Sequence, residues 1–207
     1  MKVLKTSKIE QVLDRLAQQA DVYAPMLRGQ QSGFFSWRSY DEDYDDLMFD
    51  ILNVYQPPKD IVLPQTEKMY SIHQDGQDVT IEPIVAEVEP KIIMGVRSCD
   101  VRGIDYLDEV FLTKGYVDDA YKARRDKLTI IASACYNPGT NCFCDSMGVS
   151  PTDPESADVI MREVTGGYVW DVKTEKGEAV TKQIEDLLEE QEVELFPLKS
   201  FLRKVDY

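Results

Sequence analysis

Apolar residues recur at helical spacing early in the chain: Ile9, Val12, Leu13 and Leu16 share one face between residues 7 and 19. The spacing predicts an amphipathic helix there, with Ser7 and Glu10 placed three apart as a capping box. The period then changes. Val22 to Trp37 carries strand-prone residues on both sides of a Gly-containing turn. Asp41 to Asp50 places six acidic residues among Tyr44, Leu47, Met48 and Phe49, which reads as a solvated face or a loop over a helix start. Pro57, Pro58 and Pro64 delimit a rigid, non-helical connector. Residues 66–89 alternate about Asp75-Gly76 and predict a β-hairpin.

The middle third is more legible. Lys91 to Val96 is a short apolar run that predicts a buried strand, ending in Arg97-Ser98-Cys99-Asp100. A helix is expected next, with Asp100 as its N-cap and Ile104, Leu107, Val110 and Phe111 on its inner face. Asp118 to Lys127 predicts a second, short helix, and Leu128 to Ala134 a second buried strand that ends at Cys135. Strand, helix, strand at this spacing predicts a βαβ unit with two adjacent parallel strands.

The remainder reads as scaffold. Val159–Val164 and Tyr168–Val172 flank Thr165-Gly166-Gly167, a hairpin signal. Glu175 to Gln191 predicts a helix with Val180, Ile184, Leu187 and Leu188 on its apolar face, and the segment Phe196 to Tyr207 is expected to dock on the domain. The predicted fold class is α/β: a mixed sheet with a central βαβ unit, helices packed on it and peripheral hairpins. The expected organisation is a single domain over 1–207, with an N-terminal helix at 7–19, a core at 91–150 and a C-terminal helical segment at 175–207.

Composition narrows the function classes. Hydrophobic residues make up 43% of the 207, which suits a globular chain able to bury a core. No stretch approaches the about 18 uninterrupted apolar residues of a membrane span, and the N-terminus lacks the apolar centre of a secretory signal. A cytoplasmic setting is expected, where clustered thiols bind metal or carry redox chemistry rather than forming disulfides. The net charge of −15, from 38 acidic against 23 basic residues, argues against a nucleic-acid partner, which needs a basic face. It fits a solvated surface first, and docking on a basic partner second.

The candidate chemistry lies in the four cysteines, Cys99, Cys135, Cys142 and Cys144, with a single histidine, His73, elsewhere. In a parallel sheet the carboxyl ends of the strands share one edge, so Cys99 and Cys135 are expected on one rim. A turn at Asn137-Pro138-Gly139 then returns Cys142 and Cys144 towards them. Cys142 and Cys144 would face opposite ways in an extended segment, so a bend around Phe143 is required.

Structural zinc sites pair their ligands on Cys-x₂₋₄-Cys knuckles, and this chain has none. A redox dithiol at Cys-x-x-Cys is also missing, and a thiolate enzyme using Cys99 would lack a nearby base. Buried structural thiols fit poorly in a polar Gly/Pro/Asn loop. Four thiolates suit an Fe–S cluster best, with Arg97 and Arg102 able to offset its charge and Gly139 and Gly148 able to admit it closely. Either arginine could instead pair with Asp100 or Asp105. The spacing alone does not choose between [4Fe–4S] and [2Fe–2S], and a Cys₄ zinc site in a structural or assembly protein is the alternative.

Three segments carry a family resemblance: Gly95-Val-Arg-Ser-Cys-Asp100, Tyr121-Lys-Ala-Arg-Arg-Asp126 and Cys135-Tyr-Asn-Pro-Gly-Thr-Asn-Cys-Phe-Cys-Asp-Ser-Met-Gly148. With Pro57 to Glu67, they resemble the N-terminal region of the family of sulfhydrogenase beta subunits and the A component of anaerobic sulfite reductase, over roughly Val22 to Val172. That resemblance implies an iron–sulfur electron-transfer subunit, with Cys99, Cys135, Cys142 and Cys144 ligating one [4Fe–4S] cluster. It also implies anaerobic work in a complex, linking a catalytic oxidoreductase subunit to a flavoprotein or ferredoxin-like partner. Family members usually continue into a ferredoxin-like domain with two Cys-x₂-Cys-x₂-Cys motifs, which this sequence lacks. A single relay cluster and an obligate complex are therefore expected.

Overall fold

The computed structural model describes residues 1–83 and 88–196. The chain opens with β1 (Lys2–Lys5), α1 (Ile9–Leu16), the hairpin β2 (Asp21–Arg28) and β3 (Gln31–Ser36), and the short β4 (Asp45–Leu47). A second hairpin, β5 (Tyr70–Asp75) and β6 (Asp78–Pro83), precedes the central unit β7 (Lys91–Arg97), α2 (Ser98–Asp108), α3 (Asp119–Asp126) and β8 (Leu128–Ser133). The chain continues through β9 (Val159–Val164), β10 (Gly167–Val172), α4 (Glu175–Gln183) and β11 (Leu188–Glu190).

Nine of these strands form one sheet in the order β11-β1-β10-β9-β8-β7-β2-β3, with β4 also on β2. The four central strands β2, β7, β8 and β9 are parallel, and the outer ones pair antiparallel. The fold is thus α/β with a mixed sheet, as the sequence pattern predicts. The β9–β10 hairpin sits within this sheet, whereas β5–β6 is a separate two-stranded sheet.

The central strands are buried on both faces, which explains why they read as continuous apolar runs instead of alternating ones. Met94, Ile131 and Met161 point to one face, where Val12, Leu13 and Leu16 of α1 and Val180 of α4 cover them. Their neighbours Ile93, Ile130 and Ile160 point to the other, under Val101 and Ile104 of α2 and Tyr121 of α3. This period of two splits the apolar residues into two cores, one on each side of the sheet.

Several local expectations are corrected. The predicted helix 7–19 is confined to Ile9–Leu16, because Thr6–Lys8 already forms a 3₁₀ turn. Ser7 lies inside that turn, and the N-cap position falls to Lys8 with no side-chain cap, so the capping box does not form. Pro58–Ile61 is a 3₁₀ helix, not a non-helical connector; proline's preset φ suits a first turn, and Ile61 and Val62 are buried. The helix expected to begin after Asp100 begins at Ser98, with Arg97 at the N-cap position. Its extension Glu109–Thr113 is a π-helical turn, whose wider coil swings Val110 out to 55% exposure while Ile104 stays buried.

The acidic stretch also departs from a purely solvated reading. Asp45 turns inward on β4, and its carboxylate accepts from Arg28 Nε and a terminal guanidinium nitrogen, each at 2.8 Å. The helix expected over Glu175–Gln191 stops at Gln183, and Leu188–Glu190 instead pairs with β1, whose edge would otherwise be open. The docking expected of Phe196 to Tyr207 falls, beyond Phe196, outside the described residues.

Candidate metal centre

Backbone geometry aims β7 at the site. Gly95 has φ +90°, and the β7–β8 register shifts between Met94 and Val96. This bulge adds local twist just before the strand delivers Arg97, Ser98 and Cys99. Cys99 lies in the first turn of α2, where free N–H groups gather. Cys135 lies two residues past the end of the parallel neighbour β8.

One carbonyl ties the two segments together. Pro151 O accepts from the Ser98 hydroxyl at 2.8 Å and from the Cys135 N–H at 2.9 Å. The intervening loop therefore must leave the rim and return to it, carrying Cys142 and Cys144. Within the loop, the Gly139 N–H donates to Cys142 Sγ at 3.2 Å. Cys144 adopts helical dihedrals and opens the 3₁₀ turn Asp145–Met147, which Gly148 closes with φ +67°. That turn supplies the bend required after Phe143, and Phe143 itself points outward at 60% exposure.

Cys99, Cys142 and Cys144 line one cavity of ≈ 330 Å³, together with Arg102, Tyr106 and Met147. Cys135 lines a second cavity of ≈ 240 Å³ with Arg97 and Leu52. Cys144 links the two groups electrostatically: its charge is felt at Cys99, and charges on Cys135 and Cys142 are felt at Cys144. Desolvation comes first and pushes the Cys99 thiol up to about 11, followed by the charges of Asp100 and Cys144. Solvent reaches Cys99, yet its concave setting still strips water from the thiolate.

Burial likewise pushes Cys135 and Cys144 up, while the Arg97 cation and the Asn137 N–H pull Cys135 back. A set of thiols that oppose each other's ionisation is stabilised by a positive centre among them, since a bound metal deprotonates its thiols outright. The chemistry of four thiols suits a soft metal centre such as an iron–sulfur cluster, with three of them on one cavity and Cys135 on the next. The set is not a tight single-ion cage: among the described residues, no three His, Cys, Asp or Glu groups gather closely enough to hold one ion.

The two arginines expected near the site behave differently. Arg102 lies 4.0 Å from an Asp105 oxygen and 3.7 Å from a Glu109 oxygen, and it stacks on the Tyr106 ring. Arg97 has no carboxylate partner among the described residues and donates to backbone carbonyls instead. His73 lies on the β5–β6 hairpin, away from these cavities. The segment 49–53 gave no signal in the sequence, although Leu52 and Asn53 line the two cavities. It carries no cysteine, charge pair or motif that would announce the role.

No family model matches the chain, and no solved structure matches it. The chain is similar to the Sulfhydrogenase 2 subunit beta of Pyrococcus furiosus, at 27% identity over 205 residues. The match takes in 97% of this chain and 57% of that relative, so the chain spans little more than half the relative's length.

Proposed function

We propose that Cys99, Cys135, Cys142 and Cys144 ligate one [4Fe–4S] cluster in a single domain. The chain then serves as a one-cluster electron-transfer subunit of an anaerobic cytoplasmic oxidoreductase complex, between a flavin- or ferredoxin-type partner and a catalytic subunit. The observation that supports this reading is that Cys99, Cys142 and Cys144 line one cavity beside the carboxyl end of β7, with Cys135 just past the end of the adjacent β8. A cluster supplies one-electron transfer, and its potential follows the charge, hydrogen bonding and exposure that the protein arranges. This chain's part is to hold four thiolates, to aim the first-turn N–H groups of α2 and the Gly139 N–H at sulfur, and to limit water.

Two further features support the reading. Similarity to a protein named as a subunit supports work within an assembly. So does exposed apolar surface: Phe143 and Met147 beside the thiols, and Tyr70, Ile72, Val79 and Ile81 on the hairpin. In β5–β6 these last four share one face, because Ile72 pairs with Ile81 while Ser71, His73 and Thr80 take the other.

The test is anaerobic purification of the full chain with iron and acid-labile sulfide assayed per chain. A brown protein whose broad absorbance near ~400 nm bleaches with dithionite is expected. Cys142→Ser and Cys144→Ser should each remove most of the colour. Colourless protein holding one zinc per chain would overturn the proposal.

A further inference from the structure

Arg97 sits at the meeting point of three segments. Its Nε and one terminal nitrogen donate to Ile51 O at 3.3 and 2.9 Å, and that terminal nitrogen also reaches Phe49 O at 3.1 Å. The other terminal nitrogen donates to Ala134 O at 3.3 Å, one residue before Cys135. One side chain at the end of β7 therefore binds the 49–52 segment to the exit of β8. That segment in turn presses on the cysteine loop: a Cβ added at Gly139 would lie 2.7 Å from Leu52 Cδ2.

The charge matters as much as the fork. Carbonyl dipoles hold a guanidinium without cancelling its unit charge, unlike carboxylates. Arg102, the other cation beside the thiols, has that charge offset by Asp105 and Glu109. Asp50 and Glu163 line the same cavity as Arg97, yet among the described residues its hydrogen bonds go to backbone carbonyls and not to either carboxylate. The charge of Arg97 is felt at Cys135, alongside the Asn137 N–H.

We infer that Arg97 is the positioning residue of the Cys135 side of the site: its fork pins the 49–52 segment over the cysteine loop, and its charge stabilises negative charge held by the thiols. The inference rests on the reading that these thiols hold a cluster. One-electron reduction by an external donor adds one negative charge there, and a nearby cation favours that reduced form. Removing the cation therefore lowers the midpoint potential.

The experiment compares wild type, Arg97→Gln, Arg97→Lys and Arg102→Gln as full chains, loaded anaerobically with iron and sulfide. Midpoints are read by mediated dithionite titration, with amide hydrogen exchange of residues 49–53 measured on the metal-free proteins. In Arg97→Gln the reduction equilibrium should move at least three-fold towards the oxidised form, about 28 mV at 59 mV per ten-fold for one electron. Arg97→Lys should keep the wild-type potential but exchange faster at 49–53, because a single ammonium cannot span three carbonyls. Arg102→Gln should shift the equilibrium less than Arg97→Gln.

A fully loaded Arg97→Gln at the wild-type potential overturns the charge role, and unchanged exchange in both Arg97 variants overturns the pinning role. Should Arg97→Gln fail to fold, Arg97→Lys decides: a three-fold shift despite the retained charge refutes the inference, and a wild-type potential supports it. Wild type that takes up no iron and sulfide sinks the cluster reading and the charge role with it. The exchange result still decides the pinning role on its own.

Discussion

Replacing Gly95 by alanine tests whether the bulge in β7 is what sets up the rim. Gly95 has φ +90°, a region that costs an L-residue about 1–2 kcal/mol. An added Cβ would also lie 2.8 and 2.9 Å from two ring carbons of Phe49 and 3.1 Å from Pro25 Cδ. Overpacking of this kind costs about 1–3 kcal/mol. The two effects together predict a loss of about 2–5 kcal/mol. Urea unfolding followed by far-UV circular dichroism should show a lower midpoint at unchanged slope. The double variant Phe49→Leu/Gly95→Ala separates the causes: it relieves the ring contact but not the backbone, so it should recover only part of the loss. Gly95→Ala that costs under about 1 kcal/mol would refute both halves of the reasoning.

Two further outcomes follow from local geometry. Arg28 holds the Asp45 carboxyl below its usual range; the carboxylate is buried while the arginine stays partly exposed. A folded-state pKa below the unfolded value gives stability that is present above about pH 4 and lost as pH falls through the folded value. Asp45→Asn should therefore cost about 1–3 kcal/mol at pH 7 and less at pH 3, in urea melts at the two pH values. Gly148 closes the turn after Cys144 at φ +67° with open space around it. Gly148→Ala should cost about 1–2 kcal/mol through backbone strain alone, and Gly148→Asn should cost less; equal losses in thermal melts would argue against the left-handed assignment.

Much of the rim was legible because its cause is local. β7 and β8 lie buried on both faces, and such strands read as short unbroken apolar runs whatever surrounds them. Two such runs joined by a helix read as a parallel βαβ unit, which puts Cys99 and Cys135 at the carboxyl edge of the sheet. The bend that brings Cys142 and Cys144 together was legible for the same reason: two residues of extended chain would have separated them.

What tertiary structure decided depends on partners distant in sequence. The acidic stretch 41–50 gives no sign that Asp45 turns inward, because Arg28 reaches it only once β4 has paired with β2. Ser98 rather than Asp100 lies at the start of α2, and its hydroxyl is taken by the carbonyl of Pro151, 53 residues on. Leu188–Glu190 continues an apolar helical pattern but becomes a strand because β1 offers an open edge. Most consequentially, no local pattern placed residues 49–53 over the thiols or turned Arg97 towards their carbonyls.

The amino-acid sequence by itself thus determined the thiol set, the parallel unit that carries two of its members, and the loop that returns the other two. These follow from side-chain period and chain reach, which act over a few residues. Strand order, the segment covering the site and the partner of each buried charge were decided only by tertiary structure. Those depend on which long-range pairings bury the most apolar surface while leaving no polar group unmatched, and no window of sequence contains that competition.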